Sequence, residues 1–356
     1  MGNLYTKLKI FHYQAKVDSL PKTVAAILPP VHIRIKPTNI CNHRCWYCAY
    51  NAEGLQLGKD MVTKDTIPLP KMMEIVSDIA EMGVKAVTFS GGGEPFCYPH
   101  LVPALKELIK HKIKIASLTN GSLLCGEAAE LFAKHGTWVR ISMDGWNDES
   151  YVKYRGVKGG EFTKIMQNIR AFKAMKPRCQ LGVSVILDKD NYPHFYELAG
   201  LLKSIGVDSV KVSPCIVANT SEENNRYHDP FFAAAEKIIN KAVEDLADGS
   251  FELYNAYHRQ EISFEKDYHW CPFLQILPVI GADLNVYSCQ DKAYNLDCGL
   301  IGSIKDVRFT DFWFSDKNKF FRIDPSRDCV HHCVADPKNR LVHEYLEADP
   351  EHLGFV

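Results

Sequence analysis

Cys41-Asn42-His43-Arg44-Cys45-Trp46-Tyr47-Cys48 places three thiols within eight residues, spaced Cys-x3-Cys-x2-Cys, directly after the β-type run His32-Ile33-Arg34-Ile35-Lys36. Three cysteines this close can converge on one metal centre and leave one coordination position without a protein ligand. Structural zinc sites close with four ligands. Iron–sulfur clusters use the same thiolate chemistry and can present an open iron to a substrate. Spacing alone leaves both metals open.

Outward from this stretch the chain repeats strand, loop and helix. The pattern predicts strands at His32–Lys36, Ala86–Ser90, Ile113–Leu118, Trp138–Met143, Leu181–Leu187 and Ser209–Ser213. Helices are predicted from Pro70 to Gly83, then at Leu101–His111, Glu127–Lys134, Phe162–Met175 and Phe195–Ile205. Met72, Ile75, Val76 and Ile79 carry the helical spacing of the first. Strands separated by helices argue for a parallel sheet, in which functional groups gather at the C-terminal strand ends. Asn219–His228 reads as a polar loop, Asp229-Pro230 as the cap of an amphipathic helix reaching Leu246, and residues 251–269 have no clear period. Residues 1–30 read as a short leading helix and a turn closed by Pro29-Pro30.

The composition narrows the function classes. Forty-two basic residues against 43 acidic ones give no bulk electrostatic case for nucleic acid or an anionic membrane. No apolar run approaches the roughly 20 residues of a membrane span. Twelve cysteines without a secretory signal point to a reducing cytoplasm, where clustered thiols bind metals or catalyse.

The cysteine loop, the aromatic Tyr47 before its third cysteine and the later Gly91-Gly92-Gly93-Glu94-Pro95 together resemble the radical S-adenosylmethionine (SAM) superfamily. The resemblance implies an α/β fold, a partial (β/α)6 TIM-like barrel, and a 4Fe–4S cluster on Cys41, Cys45 and Cys48 whose fourth iron chelates SAM. It implies SAM contacts from Tyr47, from Gly91, Gly92, Gly93 and Glu94, and from Asn120, Ser142 and Arg155. The chemistry it implies is reductive cleavage of SAM to a 5′-deoxyadenosyl radical that abstracts hydrogen from substrate. An electron donor such as flavodoxin or ferredoxin is the implied partner.

Strand alternation adds a reading that the resemblance does not supply. Arg34 and Lys36 share a face of the first strand with His32, Arg140 shares one with Ser142 and Asp144, and Lys211 shares one with Ser213. Central parallel strands are usually apolar on both faces. Polar faces suggest a wet lumen, and Arg34, Lys36, Arg140 and Lys211 would suit an anionic substrate; salt bridges to Asp144, Asp188 and SAM are the plain alternative.

The C-terminal cysteines resemble the SPASM and twitch extensions of that superfamily through Cys271-x17-Cys289 and Cys329-x3-Cys333. The resemblance implies a small cysteine-rich domain with one auxiliary 4Fe–4S cluster on Cys271, Cys289, Cys329 and Cys333, with Cys298 spare or in exchange. A zinc ribbon is the alternative. Leu284 stands where those domains usually carry glycine, so an altered turn is expected there. His331 and His332 read as loop residues.

The resulting division is an N-terminal extension (1–30), a radical SAM core (31–215), a helical connector (216–269) and an auxiliary-cluster domain (270–356). The expected activity is that of a cytoplasmic radical SAM enzyme, an oxidoreductase or isomerase/lyase type, acting on a small anionic sugar, aminosugar or nucleotide sugar. Thirty residues are too few for the leader-binding domain of many peptide-modifying relatives. A peptide or sulfatase maturase is the second expectation, and a non-enzymatic zinc-binding protein the third.

Overall fold

A computed structural model describes residues 6–50, 52, 55, 58–260 and 264–355. Parts of the polar loop after the cysteines (51, 53–54 and 56–57) and of the unassigned segment (261–263) lie outside the described residues.

Ten strands of the described residues form one sheet in the order β10-β9-β8-β1-β2-β3-β4-β5-β6-β7. The strands β1 (His32–Ile35), β2 (Ala86–Phe89), β3 (Lys114–Thr119), β4 (Gly136–Ser142), β5 (Gln180–Leu187), β6 (Ser209–Pro214) and β7 (Glu252–Asn255) run parallel in chain order. This is the partial TIM-like barrel expected of the sequence, with one further parallel strand. β8 (Val279–Ile280) pairs parallel to β1 on its other side, and β9 (Asn285–Tyr287) and β10 (Leu300–Ser303) continue antiparallel.

The helices are α1 (Gln14–Asp18), α2 (Leu69–Glu81), α3 (Leu101–Lys110), α4 (Gly126–His135), α5 (Asp148–Arg155), α6 (Glu161–Ala174), α7 (Phe195–Ser204), α8 (Ser221–His228) and α9 (Phe232–Leu246), with shorter and later ones beyond. In α2 the predicted stripe Met72, Ile75, Val76 and Ile79 is fully buried. Each such side chain contributes about 1.5–3 kcal/mol relative to exposure. Ile33, Ile35, Val87, Phe89, Val139, Ile141, Leu181 and Val183 turn the other sheet face into the same core. The opposite face reads Lys36, Ser90, Leu118, Arg140 and Gly182 across successive strands, extending the paired registers by one residue on β1 and β2. Lys36 and Ser90 on that face line a cavity at the strand ends.

Two local expectations are corrected. Ser221–His228 is helical, not a loop, because Thr220 accepts from the Glu223 amide and Glu222 pairs with Arg226 one turn on. Asp229 consequently ends that helix, and α9 begins after Phe231 rather than at an Asp-Pro cap. Leu284 adopts φ +63° and its amide donates to Gly281 O at 3.0 Å. The turn between β8 and β9 thus holds a side chain in the left-handed region, at a backbone cost of roughly 1–2 kcal/mol.

The segment after Cys271 is fastened to the core by Asp78 of α2. Its fully buried carboxylate accepts from Arg308 Nε at 2.7 Å and from the Phe309 amide at 2.8 Å, satisfying the N-terminus of the helix Phe309–Ser315. Ile10, Val17 and Leu20 of the leading segment pack with Ile276 and Val342 in a separate small core. No helix of the described residues is long and apolar enough to cross a membrane.

Candidate active site

The C-terminal ends of β1 to β4 surround a cavity of about 330 Å³. Cys41, Cys45 and Cys48 line it, facing Gly91, Gly92, Gly93 and Glu94 from the loop after β2, Asn120 after β3, Ser142 at the end of β4 and Arg155 at the end of α5. Every sequence-predicted SAM contact except Tyr47 therefore meets in one place. Tyr47 stands behind it, its hydroxyl bonded to Asp144 and its ring 5.6 Å from the Arg155 guanidinium.

Backbone bonds lock the two loops together: Gly93 N donates to Thr38 O at 3.1 Å and Glu94 N to Ile40 O at 2.9 Å. A Cβ on Gly93 would lie 2.1 Å from Ile40 O, and one on Gly91 only 1.4 Å from Gly93 O. Glycine is required here by close approach of backbone to backbone. The same bareness leaves main chain facing the cavity, a cradle for a ligand beside three thiols.

Glu94 is buried and accepts from Thr119 Oγ1 at 2.6 Å, the Phe96 amide at 3.1 Å and the Asn120 amide at 2.7 Å. Burial raises its pKa, while these donors and Arg155 work the other way. Asn120 in turn donates to Asn42 Oδ1 at 2.8 Å, and Asn42 donates to Ser122 Oγ at 2.6 Å, joining the β3 loop to the cysteine loop. Burial pushes the Cys41 thiol up to about 12.

Arg155 is placed by the capped helix α5, where Asn147 and Ser150 bond each other's amides. Its Nη2 donates to Asp144 Oδ2 at 2.5 Å and its Nη1 to Cys45 Sγ at 3.5 Å, leaving Nε buried without a partner. Burial opposes its charge, but Asp144, Tyr47 and Cys45 raise its pKa well above the ordinary value. Asp144, Asn42 and Thr119 were not singled out as site residues in the sequence. Asp144 was legible in principle, sharing the Ser142 face at a strand end.

Of the four cations proposed for substrate, Arg34 and Lys36 line this cavity, with Tyr50, Gln290 and Asp291. Lys36 is buried and donates to Gly91 O at 2.6 Å and Tyr50 Oη at 2.5 Å. Its pKa falls to about 7 through burial and then the neighbouring Arg34. Arg34 Nε is buried and has no hydrogen-bond partner. Arg140 and Lys211 stand outside the residues lining this cavity, over the rings of Trp138 (5.6 Å) and Tyr254 (5.9 Å).

Cys271, Cys289, Cys329 and Cys333 come within electrostatic reach of one another. Asn339 Nδ2 donates to Cys271 Sγ at 3.3 Å. Cys298 stands aside, bonded by Lys292 Nζ at 3.2 Å.

A family model described as the radical SAM superfamily matches residues 35–202, from the last residue of β1 into α7, a span that holds every residue lining the cavity except Arg34, Gln290 and Asp291. Residues 35–202 form a radical SAM domain. A 4Fe–4S cluster and SAM are the cofactors of that family, and the three thiols beside the bare glycine cradle fit them. The chain is 24% identical over 312 residues to the tungsten-containing aldehyde ferredoxin oxidoreductase cofactor-modifying protein of Pyrococcus furiosus, covering 82% of this chain and 83% of that one. It is 26% identical over 238 residues to the GTP 3′,8-cyclase of Sinorhizobium medicae, covering 63% of this chain and 65% of that one. Among solved structures, Streptococcus suis SuiB bound to precursor peptide SuiA shares the fold with a TM-score of 0.62 at 16% identity, over 88% of this chain and 71% of SuiB.

Proposed function

We propose that this radical SAM enzyme removes hydrogen from a small anionic metabolite, such as a sugar, aminosugar or nucleotide sugar, bound between Arg34, Lys36 and the SAM position. When bound, the cluster and SAM supply a 5′-deoxyadenosyl radical as hydrogen acceptor, the electron coming from a cytoplasmic flavodoxin or ferredoxin. Cys41, Cys45 and Cys48 would hold the cluster. Gly91 to Gly93 and Glu94 would receive the amino end of SAM, Glu94 balancing its positive charge. Asn120, Ser142 and Arg155 would contact its polar groups, with Tyr47 and Asp144 fixing Arg155. Cys271, Cys289, Cys329 and Cys333 would hold a second cluster, in a C-terminal unit that we delimit at about residue 270 after a core of 31–215 and a connector.

The observation that carries the substrate class is Arg34, whose buried Nε faces no partner at the wall of this cavity beside Lys36. An anion there would satisfy a donor that is otherwise costly to bury. The cyclase relative, whose name specifies GTP, accords with this class. A peptide maturase is the second reading, favoured by the fold shared with the peptide-bound SuiB.

The test is anaerobic reconstitution with iron and sulfide, then dithionite-driven release of 5′-deoxyadenosine with nucleotide sugars against cysteine-bearing peptides. Acceleration by the sugars alone supports the proposal. Acceleration by peptides alone replaces it with the maturase. Zinc in place of iron, with no cleavage of SAM, overturns both.

A further inference from the structure

Beside the C-terminal thiols stands a group that the four cysteines do not account for. A carboxylate oxygen of Asp291, a ring nitrogen of His331 and the sulfur of Cys333 lie within 4.8 Å of one another. His331 is only 5% exposed, yet neither of its ring nitrogens has a hydrogen-bond partner, and Asp291 Oδ2 is likewise buried and unpartnered. A buried imidazole of ordinary structural purpose bonds through at least one nitrogen. This one is held in place by its main chain instead, Lys266 Nζ donating to His331 O at 2.9 Å. Ligand atoms at about 2.0–2.3 Å from one metal stand roughly 3.5 Å apart. The spacing of His331 and Cys333 therefore suits one metal position, with the Asp291 carboxylate beside the imidazole.

We propose that His331 binds the iron that Cys333 faces, through one ring nitrogen and in place of the Cys333 thiolate, so that each of the four irons keeps one protein ligand, with Asp291 accepting a hydrogen bond from the other nitrogen. A carboxylate behind a ligating histidine fixes its tautomer and orientation. The inference rests on the reading of Cys271, Cys289, Cys329 and Cys333 as a second iron–sulfur centre. It adds that this centre is not purely thiolate-ligated. Asp291 also lines the SAM cavity, so the carboxylate that orients His331 stands at the wall against which substrate would lie.

The experiment uses the full chain with Cys41→Ala, Cys45→Ala and Cys48→Ala, so that only the C-terminal centre can assemble, reconstituted anaerobically and reduced with dithionite. Pulsed electron paramagnetic resonance then reads nitrogen coupled directly to the cluster. The expected result is about four irons per chain, with a strong nitrogen coupling that changes isotope signature when histidine is labelled with nitrogen-15. The coupling persists in His332→Ala and disappears in His331→Ala. The labelling is decisive even where His331→Ala fails to retain iron. Four irons without histidine coupling, or a coupling that survives His331→Ala, overturns the histidine and leaves the second cluster standing. A chain that binds no iron overturns the second cluster itself, and the inference with it.

Discussion

Arg155 and Asp144 form an ion pair of 2.5 Å in which the guanidinium is 5% and the carboxylate 1% exposed. The same guanidinium reaches Cys45, and the same carboxylate receives Tyr47 and the Ile186 amide at 2.7 Å. One buried pair thus ties the cysteine loop to β4, β5 and α5. Asp144→Asn keeps the shape and removes the charge, stranding Arg155. Breaking such a pair costs about 3–5 kcal/mol. Urea unfolding of the anaerobic protein should show at least 2 kcal/mol lost, and SAM affinity should fall with it.

Gly93→Ala puts a methyl group against the backbone of the cysteine loop, where nothing flexible can yield. The expected outcome is selective: iron falls from about eight to about four per chain, since the C-terminal thiols are untouched. Loss of all iron, or none, would refute the coupling of the two loops.

Lys36 gives a pH dependence whose sign is fixed by its folded pKa of about 7, below the ordinary value. The unfolded chain keeps that proton to about pH 10.4, so between pH 7 and 10 it binds more protons than the folded one. Stability therefore rises with pH across that window, by at most about 1.4 kcal/mol per unit from this group. Lys36→Met should flatten the slope relative to wild type. Anion binding has the opposite trend: it weakens as pH rises through 7 in wild type and loses that step in Lys36→Met, read by calorimetric titration.

Arg34→Met should leave SAM affinity unchanged while weakening an anionic substrate by roughly 10- to 150-fold, the range of a charge-assisted hydrogen bond of about 1.5–3 kcal/mol. Equal affinity in the variant would remove Arg34 from the substrate site.

Much of this was legible because two periods dominate the chain. The apolar stripe Met72, Ile75, Val76 and Ile79 announces α2, and β1 to β6 lie within a few residues of their expected positions. β7 was not legible: Glu252–Asn255 is four residues long and half-exposed, so no alternation marks it. Polar α8 shows no apolar face, and only Thr220 with Glu223 three residues on could have revealed it. The cavity's thiols and glycines were readable as motifs. Arg140 and Lys211 show the limit of strand alternation, which gives the face of a side chain but not its height. Strands in a barrel tilt, so a hydrogen-bonded row runs obliquely to the axis. Ser142, two residues further along β4, reaches the cavity where Arg140 does not.

The pairing of β8 with β1 has a consequence for biogenesis. Ile35 meets Ile280 across that ladder, partners separated by most of the chain. A ribosome adds about 5–20 residues per second, so the edge of the first strand waits on the order of ten to fifty seconds for its neighbour. Throughout that interval the three thiols of the cysteine loop hang beside an unfinished edge. Cluster insertion before translation ends would meet a half-built wall; shielding by a chaperone until release would let the cysteine loop be loaded beside a closed sheet.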